Sequence, residues 1–234
     1  AGCTVRVLDD LSTGRAENLA HVRPAPELVR GCVTDPGAVQ RAVAGCDVVF
    51  HLAALASVAK SVEDPLASHA ACATGALTVL DQARRAGVRR VVYAGSASAY
   101  GNASDPAGQD ENTPLMALSP YAAAKLAGEL YAESFAASYG METVRLRFFN
   151  VFGPRQRADS PYSGVIAIFA ALLAQGRVPT VHGDGLQSRD FVYVSDVARA
   201  LTLAAEVPGV SGRVYNVGTG ASVNLLGLVA ELNG

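Results

Sequence analysis

The chain has 234 residues, half of them hydrophobic and 17% charged, which excludes a disordered protein and leaves enough apolar side chain for one good core. A net charge of −2 and a pI near 6.1 leave no basic footprint for nucleic acid or an anionic membrane surface. The four cysteines, Cys3, Cys32, Cys46 and Cys72, form no Cys-x-x-Cys pair and lack neighbouring histidines, so neither a disulfide framework nor zinc is implied.

Residues 4–8 predict a strand that runs into Asp9-Asp10-Leu-Ser-Thr-Gly14, where the acidic pair is either a turn former or the acidic strand tip of a dinucleotide fold. A strand over 27–33, a helix over about 36–44 and a strand over 47–54 follow. The last ends in His51-Leu-Ala-Ala54, and its histidine by itself reads as a core residue. One long helix is expected over 65–86, stopped by Gly87, with Arg84 and Arg85 in its last turn as the helix dipole prefers. Arg90 to Ser96 reads as a buried parallel strand ending in small polar residues, and 101–118 has the Gly, Pro, Asn, Asp and Ser content of a loop.

Ser119 and Pro120 mark a helix start, and the alanine-rich run through Glu133 carries it on. Tyr121 and Lys125 then stack on one helix face. A free phenol titrates near ~10, and a neighbouring ammonium favours the phenolate, which would let Tyr121 move a proton to or from an alcohol. From the spacing alone, an exposed helix with a snorkelling lysine is the commoner outcome. Residues 142–150 predict a strand, followed by a helix to Gln175. The longest apolar run, Val165 to Ala174, is too short to span a bilayer, and no charged-then-apolar leader opens the chain, so a cytoplasmic protein is expected. A helix from Ser195-Asp196 to about Glu206, a strand over 213–218 and a helix from near Asn224 complete the order. Gly218-Thr-Gly220 lacks the third glycine of a dinucleotide turn and is rejected as one.

Ser96 at a strand end, followed some two dozen residues later by Tyr121-x-x-x-Lys125, resembles the short-chain dehydrogenase/reductase superfamily, and most closely the extended branch acting on nucleotide-diphosphate sugars. Arg147-Phe-Phe-Asn-Val-Phe-Gly-Pro154 resembles that branch's R-x-F-N-x-x-G-P, and Gly183 to Val197 resembles its G-D-G-x-Q-x-R-D-F-V-Y-V-x-D-V. The resemblance implies an α/β fold: a doubly wound parallel Rossmann sheet over 1–150 that binds NAD, then a smaller, interleaved substrate region over 151–234. The family's first strand and G-x-x-G-x-x-G turn do not occur in this sequence, and relatives continue past Gly234, so both parts are expected to be incomplete. The lost strand would sit in the middle of the sheet.

The resemblance also implies residue roles. Asp9 and Asp10 would hold the adenosine ribose of NAD and repel a 2′-phosphate, and Val33, Leu52, Ala53 and Ala54 would line the cofactor. Ser96, Tyr121 and Lys125 would be catalytic, with Tyr121 and Lys125 also touching the cofactor. Ser96, Ser98, Asn150 and Arg189 would bind the sugar nucleotide, Arg189 clamping its diphosphate with a guanidinium fork. Ser160-Pro-Tyr-Ser-Gly-Val-Ile166 resembles the segment that closes over the nucleotide base. Cys32 stands where relatives carry an aspartate, and Cys72 where they carry an asparagine. Dehydratases of the family place Asp-Glu directly after the equivalent of Ser96 and decarboxylases a glutamate nearby, whereas this chain has Ala97-Ser98. The implied activity is 4-epimerisation of a UDP-hexose by a homodimer, with another family reaction or an inactive homologue as alternatives.

Overall fold

Side-chain caps mark several of the helix starts in the computed structural model, which describes residues 2–102, 108–159, 163–181 and 183–233. Strands β1 (Arg6–Asp9) and β2 (Glu27–Arg30) precede helix α1 (Pro36–Val43), whose first turn is closed by Asp35 Oδ1 accepting from the Gly37 amide at 2.9 Å. After β3 (Val48–His51), Ser57 caps the short α2 (Val58–Glu63) and Asp64 caps α3 (Pro65–His69). The long helix expected over 65–86 is interrupted. A π-helical turn, Ala70–Thr74, joins α3 to α4 (Gly75–Arg85), and Cys72 lies inside it. Such turns insert a residue into the helix and gather at functional sites.

Strand β4 (Arg90–Ser96) leads through a 3₁₀ turn, Ala97–Tyr100, and the following loop to α5 (Pro120–Tyr139). Ser119 Oγ accepts from the Ala122 amide at 3.1 Å, a cap worth about 1 kcal/mol, and Gly140 at φ 65° ends the helix in the left-handed region. Next come β5 (Glu142–Phe148), β6 (Asn150–Phe152), α6 (Val165–Leu173), β7 (Ser188–Arg189), β8 (Phe191–Tyr193), α7 (Val194–Glu206), β9 (Arg213–Val217), β10 (Val223–Asn224) and α8 (Leu225–Asn233). Three strands are shorter than the sequence implies: 27–33 stops at Arg30, 47–54 at His51, and 142–150 breaks at Phe149, whose amide turns to the Val217 carbonyl.

β3, β4, β5 and β9 form a parallel sheet in that order, so the fold is the doubly wound α/β class. Alternation along β4 separates two cores. Val91 and Tyr93 pack on the α1, α4 and α5 side with Leu80, Ala132 and Phe135, while Val92 joins Leu146, Val197 and Ala204 beneath α7. β1 and β2 form a separate parallel pair. Among the described residues β1 is bonded only to β2 and β3 only to β4, and at this open edge Phe50 and Leu52 are exposed. No helix among the described residues is long and apolar enough to cross a membrane.

Candidate active site

α5 presents Tyr121, Lys125 and Glu129 in successive turns toward the tips of β4 and β5. At the end of β4, Ser96 Oγ accepts from the Ser98 amide at 3.2 Å and from Ser98 Oγ at 2.9 Å. With its oxygen accepting twice, Ser96 has its own proton left to donate. Tyr121 is half-buried and shares a hydrogen bond with the Ser96 hydroxyl; Lys125, one turn on, is 3% exposed. Ser96, Tyr121 and Lys125 are thus brought together, with Cys72 of the π turn completely buried against the same helix.

The electrostatics differ from the sequence expectation that Lys125 pulls the phenol down. Burial pushes Tyr121 up, opposed by its hydrogen bond to Ser96 and reinforced by Cys72. Burial in turn lowers Lys125 to about 8, with Cys72 and Glu129 pulling the other way. The physical reason is desolvation, which favours the neutral form of both groups, the phenol of Tyr121 and the amine of Lys125. Burial also raises the Cys72 thiol, against the pull of Lys125. His51, at the end of β3, is driven down to about 3 by burial and by Lys125, and its Nε2 finds no partner. It is the buried histidine expected from sequence, and it stays neutral.

A second corner forms where β6 pairs with β8. Asn150 bonds the Asp190 carbonyl with its amide at 3.0 Å and with Nδ2 at 3.1 Å, which places it beside Arg189. Arg189 is exposed, its Nη1 donating to the Ser188 carbonyl at 2.7 Å. The loop after β1 reaches the same rim: Arg155 Nη1 donates to the Asn18 carbonyl at 3.2 Å and contacts His21, and Arg157 Nη1 donates to the Thr13 carbonyl at 3.3 Å. Of Ser160 to Ile166, residues 160–162 lie outside the described residues.

The residues present fit the two ends of a dinucleotide. Asp9 ends β1 with its carboxylate accepting from the Leu11 amide at 2.7 Å, and a Cβ on Gly14 would fall 3.1 Å from Oδ2, so the loop closes onto an acidic strand tip suited to a ribose diol. Asp10 is exposed and held by Ser12, which keeps it below the usual carboxylate range. At the other end stand Tyr121 and Lys125. Leu52 is exposed, Ala53 and Ala54 half-buried just past β3. Val33 lies in the loop after β2, so close to Gly75 that a Cβ there would come within 2.7 Å.

Three groups were not singled out in the sequence. Tyr93 donates from its hydroxyl to the Lys125 carbonyl at 2.8 Å, and Arg147 grips Glu129 in a buried ion pair. Glu129 continues the Tyr121–Lys125 spacing by another four residues, a signal that could have found it; Arg147 stands out in the sequence only as the first residue of the Arg147-to-Pro154 motif.

Residues 1–218 match the model of the NAD dependent epimerase/dehydratase family. The chain is 39% identical over 222 residues to the UDP-glucose 4-epimerase of Mycolicibacterium smegmatis, covering 93% of this chain and 70% of that protein. It is 36% identical to the dTDP-glucose 4,6-dehydratase of Streptomyces griseus, over 98% of this chain and 70% of the relative. The crystal structure of the Thermotoga maritima UDP-glucose 4-epimerase with UDP-glucose superposes with a TM-score of 0.93 at 34% identity, covering 99% of this chain and 74% of that one. Matched over residues 1–218 and 39% identical to a relative covered to 70%, this chain belongs to the NAD dependent epimerase/dehydratase family.

Proposed function

We propose that the chain catalyses 4-epimerisation of a UDP-hexose with NAD as cofactor, residues 1–150 holding the dinucleotide and 151–234 the sugar nucleotide. The observation that carries this reading is the turn beside Tyr121. Ala97 and Ser98 follow Ser96, and Ser98 spends its proton on Ser96 Oγ. Eliminating water or carbon dioxide from the sugar calls for an acid or base beyond Tyr121, and this turn offers no carboxyl. Similarity to two UDP-glucose 4-epimerases supports the substrate class.

In this reading Tyr121 Oη removes the proton of the C4 hydroxyl and later returns one to the same oxygen. Ser96 Oγ, which accepts from Ser98 and keeps its own proton, donates to the C4 oxygen as charge develops there. NAD, held between Asp9 at one end and Tyr121 and Lys125 at the other, would supply the hydride chemistry at C4, and its positive charge would join Lys125 in favouring the phenolate. Arg189 and Asn150 keep hold of the diphosphate while the 4-keto sugar turns over. Leu130 and Tyr131 stand exposed side by side on α5, apolar surface that a homodimer would cover.

The test is incubation with UDP-galactose and NAD, following sugar nucleotides by chromatography. UDP-glucose should form with no net reduction of nicotinamide, and Tyr121→Phe should lower turnover by about 10²–10⁴. A 4-keto-6-deoxy product from UDP- or dTDP-glucose would move the chain to the dehydratases instead.

A further inference from the structure

We infer that Tyr93 is a positioning residue for Lys125: the ring face holds the ammonium charged, and the hydroxyl fixes the helix turn that carries it. The inference rests on the reading above, in which Lys125 serves Tyr121. Three observations converge on it. Lys125 Nζ lies 4.6 Å from the ring centroid, within cation–π range, and both groups are buried, where that attraction is strongest. Tyr93 Oη donates to the Lys125 backbone carbonyl at 2.8 Å, so the ring and the lysine are held from two sides. Third, α5 carries Gly128 in an alanine-rich interior, where glycine costs about 1 kcal/mol against alanine. A Cβ at Gly128 would fall 2.7 Å from Tyr93 Cζ, nearer still to Oη, and 3.0 Å from the Ala76 Cβ. The glycine is there because Tyr93 passes under the helix at that level.

Other titratable groups face Lys125 as well, and two of them, Cys72 and Glu129, also favour its charge. His51 of β3 is neutral and packs on the Tyr93 ring at 5.7 Å. Cys72 of the π turn is a buried thiol whose own ionisation is disfavoured. On α5 itself, Tyr121 is held protonated by burial, and Glu129 is committed to Arg147. Burial works to discharge the ammonium, with Cys72 and Glu129 opposing it, and the face of Tyr93, 4.6 Å away on β4, adds the attraction of a ring for a cation.

The sequence holds two lysines, exposed Lys60 and buried Lys125, so a chain labelled with ¹³C-lysine gives two Cε signals to follow against pH. Lys60 is the internal reference, and Lys60→Arg assigns the pair. Tyr93→Leu should lower the Lys125 titration midpoint by about one pH unit, while Tyr93→Phe, which keeps the ring, should leave it near the parent value. Gly128→Ala, by pushing the phenol aside, should shift it the same way as Tyr93→Leu. A trifluorophenylalanine at position 93 has nearly the shape of phenylalanine and a weakened ring face, and decides the matter should the leucine variant fold poorly. A midpoint unchanged by both leucine and the fluorinated ring overturns the proposal. The titration needs neither sugar nor cofactor, so its result stands apart from whether UDP-galactose is turned over.

Discussion

Arg147 of β5 and Glu129 of α5 meet in a two-pronged ion pair, Nη2 to Oε1 at 2.6 Å and Nε to Oε2 at 3.1 Å, each side chain only 4% exposed. The remaining Nη1 donates to Tyr100 Oη at 2.8 Å, and Tyr100 Oη donates to Asn216 Oδ1 at 2.6 Å. Asn216 in turn ties down the loop before α5, its amide bonding Glu111 Oε1 at 2.6 Å and its Nδ2 the Gln109 carbonyl at 2.9 Å. One cluster thus fastens the Tyr121 helix, the turn after Ser96, β5 and β9 to each other.

Removing one partner of that pair strands a buried charge. Glu129→Leu or Arg147→Met alone should cost about 3–5 kcal/mol in urea unfolding, while the double variant should recover much of the loss, because the desolvation penalty disappears with both charges. Single variants within about 1 kcal/mol of the parent would mean water reaches the pair.

Ser98 acts through Ser96, so their losses should differ in size. On the proposed mechanism Ser96→Ala removes the donor to the C4 oxygen and should lower kcat by about 10²–10³. Ser98→Ala removes only the 2.9 Å bond that aims it and should cost about tenfold, with KM nearly unchanged in both. Equal losses in the two variants would place Ser98 in direct contact with substrate.

Arg189 is exposed and spends one donor on a neighbouring carbonyl, leaving the rest of its fork for an anion. Arg189→Leu should raise KM for the UDP-sugar by about 10–100-fold while changing kcat little, since a diphosphate contact is equal in ground and transition states. A fall in kcat at constant KM would instead tie Arg189 to the reacting end.

His51 makes stability depend on pH above the range where carboxylates titrate. Its folded pKa, about 3, lies below the unfolded value of 6.5, so the unfolded chain takes up a proton that the native chain refuses. Stability should fall as pH drops from 6.5 toward about 3, by a total on the order of a few kcal/mol, and His51→Phe should flatten the slope between pH 6.5 and 5. Lys125 adds an effect of the same sign at the alkaline end. Its pKa of about 8 lies below 10.5, so stability should rise across that interval as the native ammonium releases its proton first. Chemical denaturation at stepped pH measures both, and a parent curve flat from pH 6.5 to 5 would show His51 hydrated.

What the sequence determined by itself is what local chemistry controls. The Ser119 cap, Pro120 and the alanine run specify α5, and a spacing of four residues puts Tyr121 and Lys125 on one face without reference to any neighbour. The ordered motifs around Ser96, Asn150 and Arg189 marked the family. Tertiary structure decided the rest. The pairing of β6 with β8 carries Asn150 to Asp190, and Arg147 finds Glu129 across 18 residues of chain. The direction of the Tyr121 shift depends on what buries it, and the Lys125 charge on a ring from another strand. Burial and desolvation are sums over neighbours distant in sequence, so no spacing rule along the chain contains them.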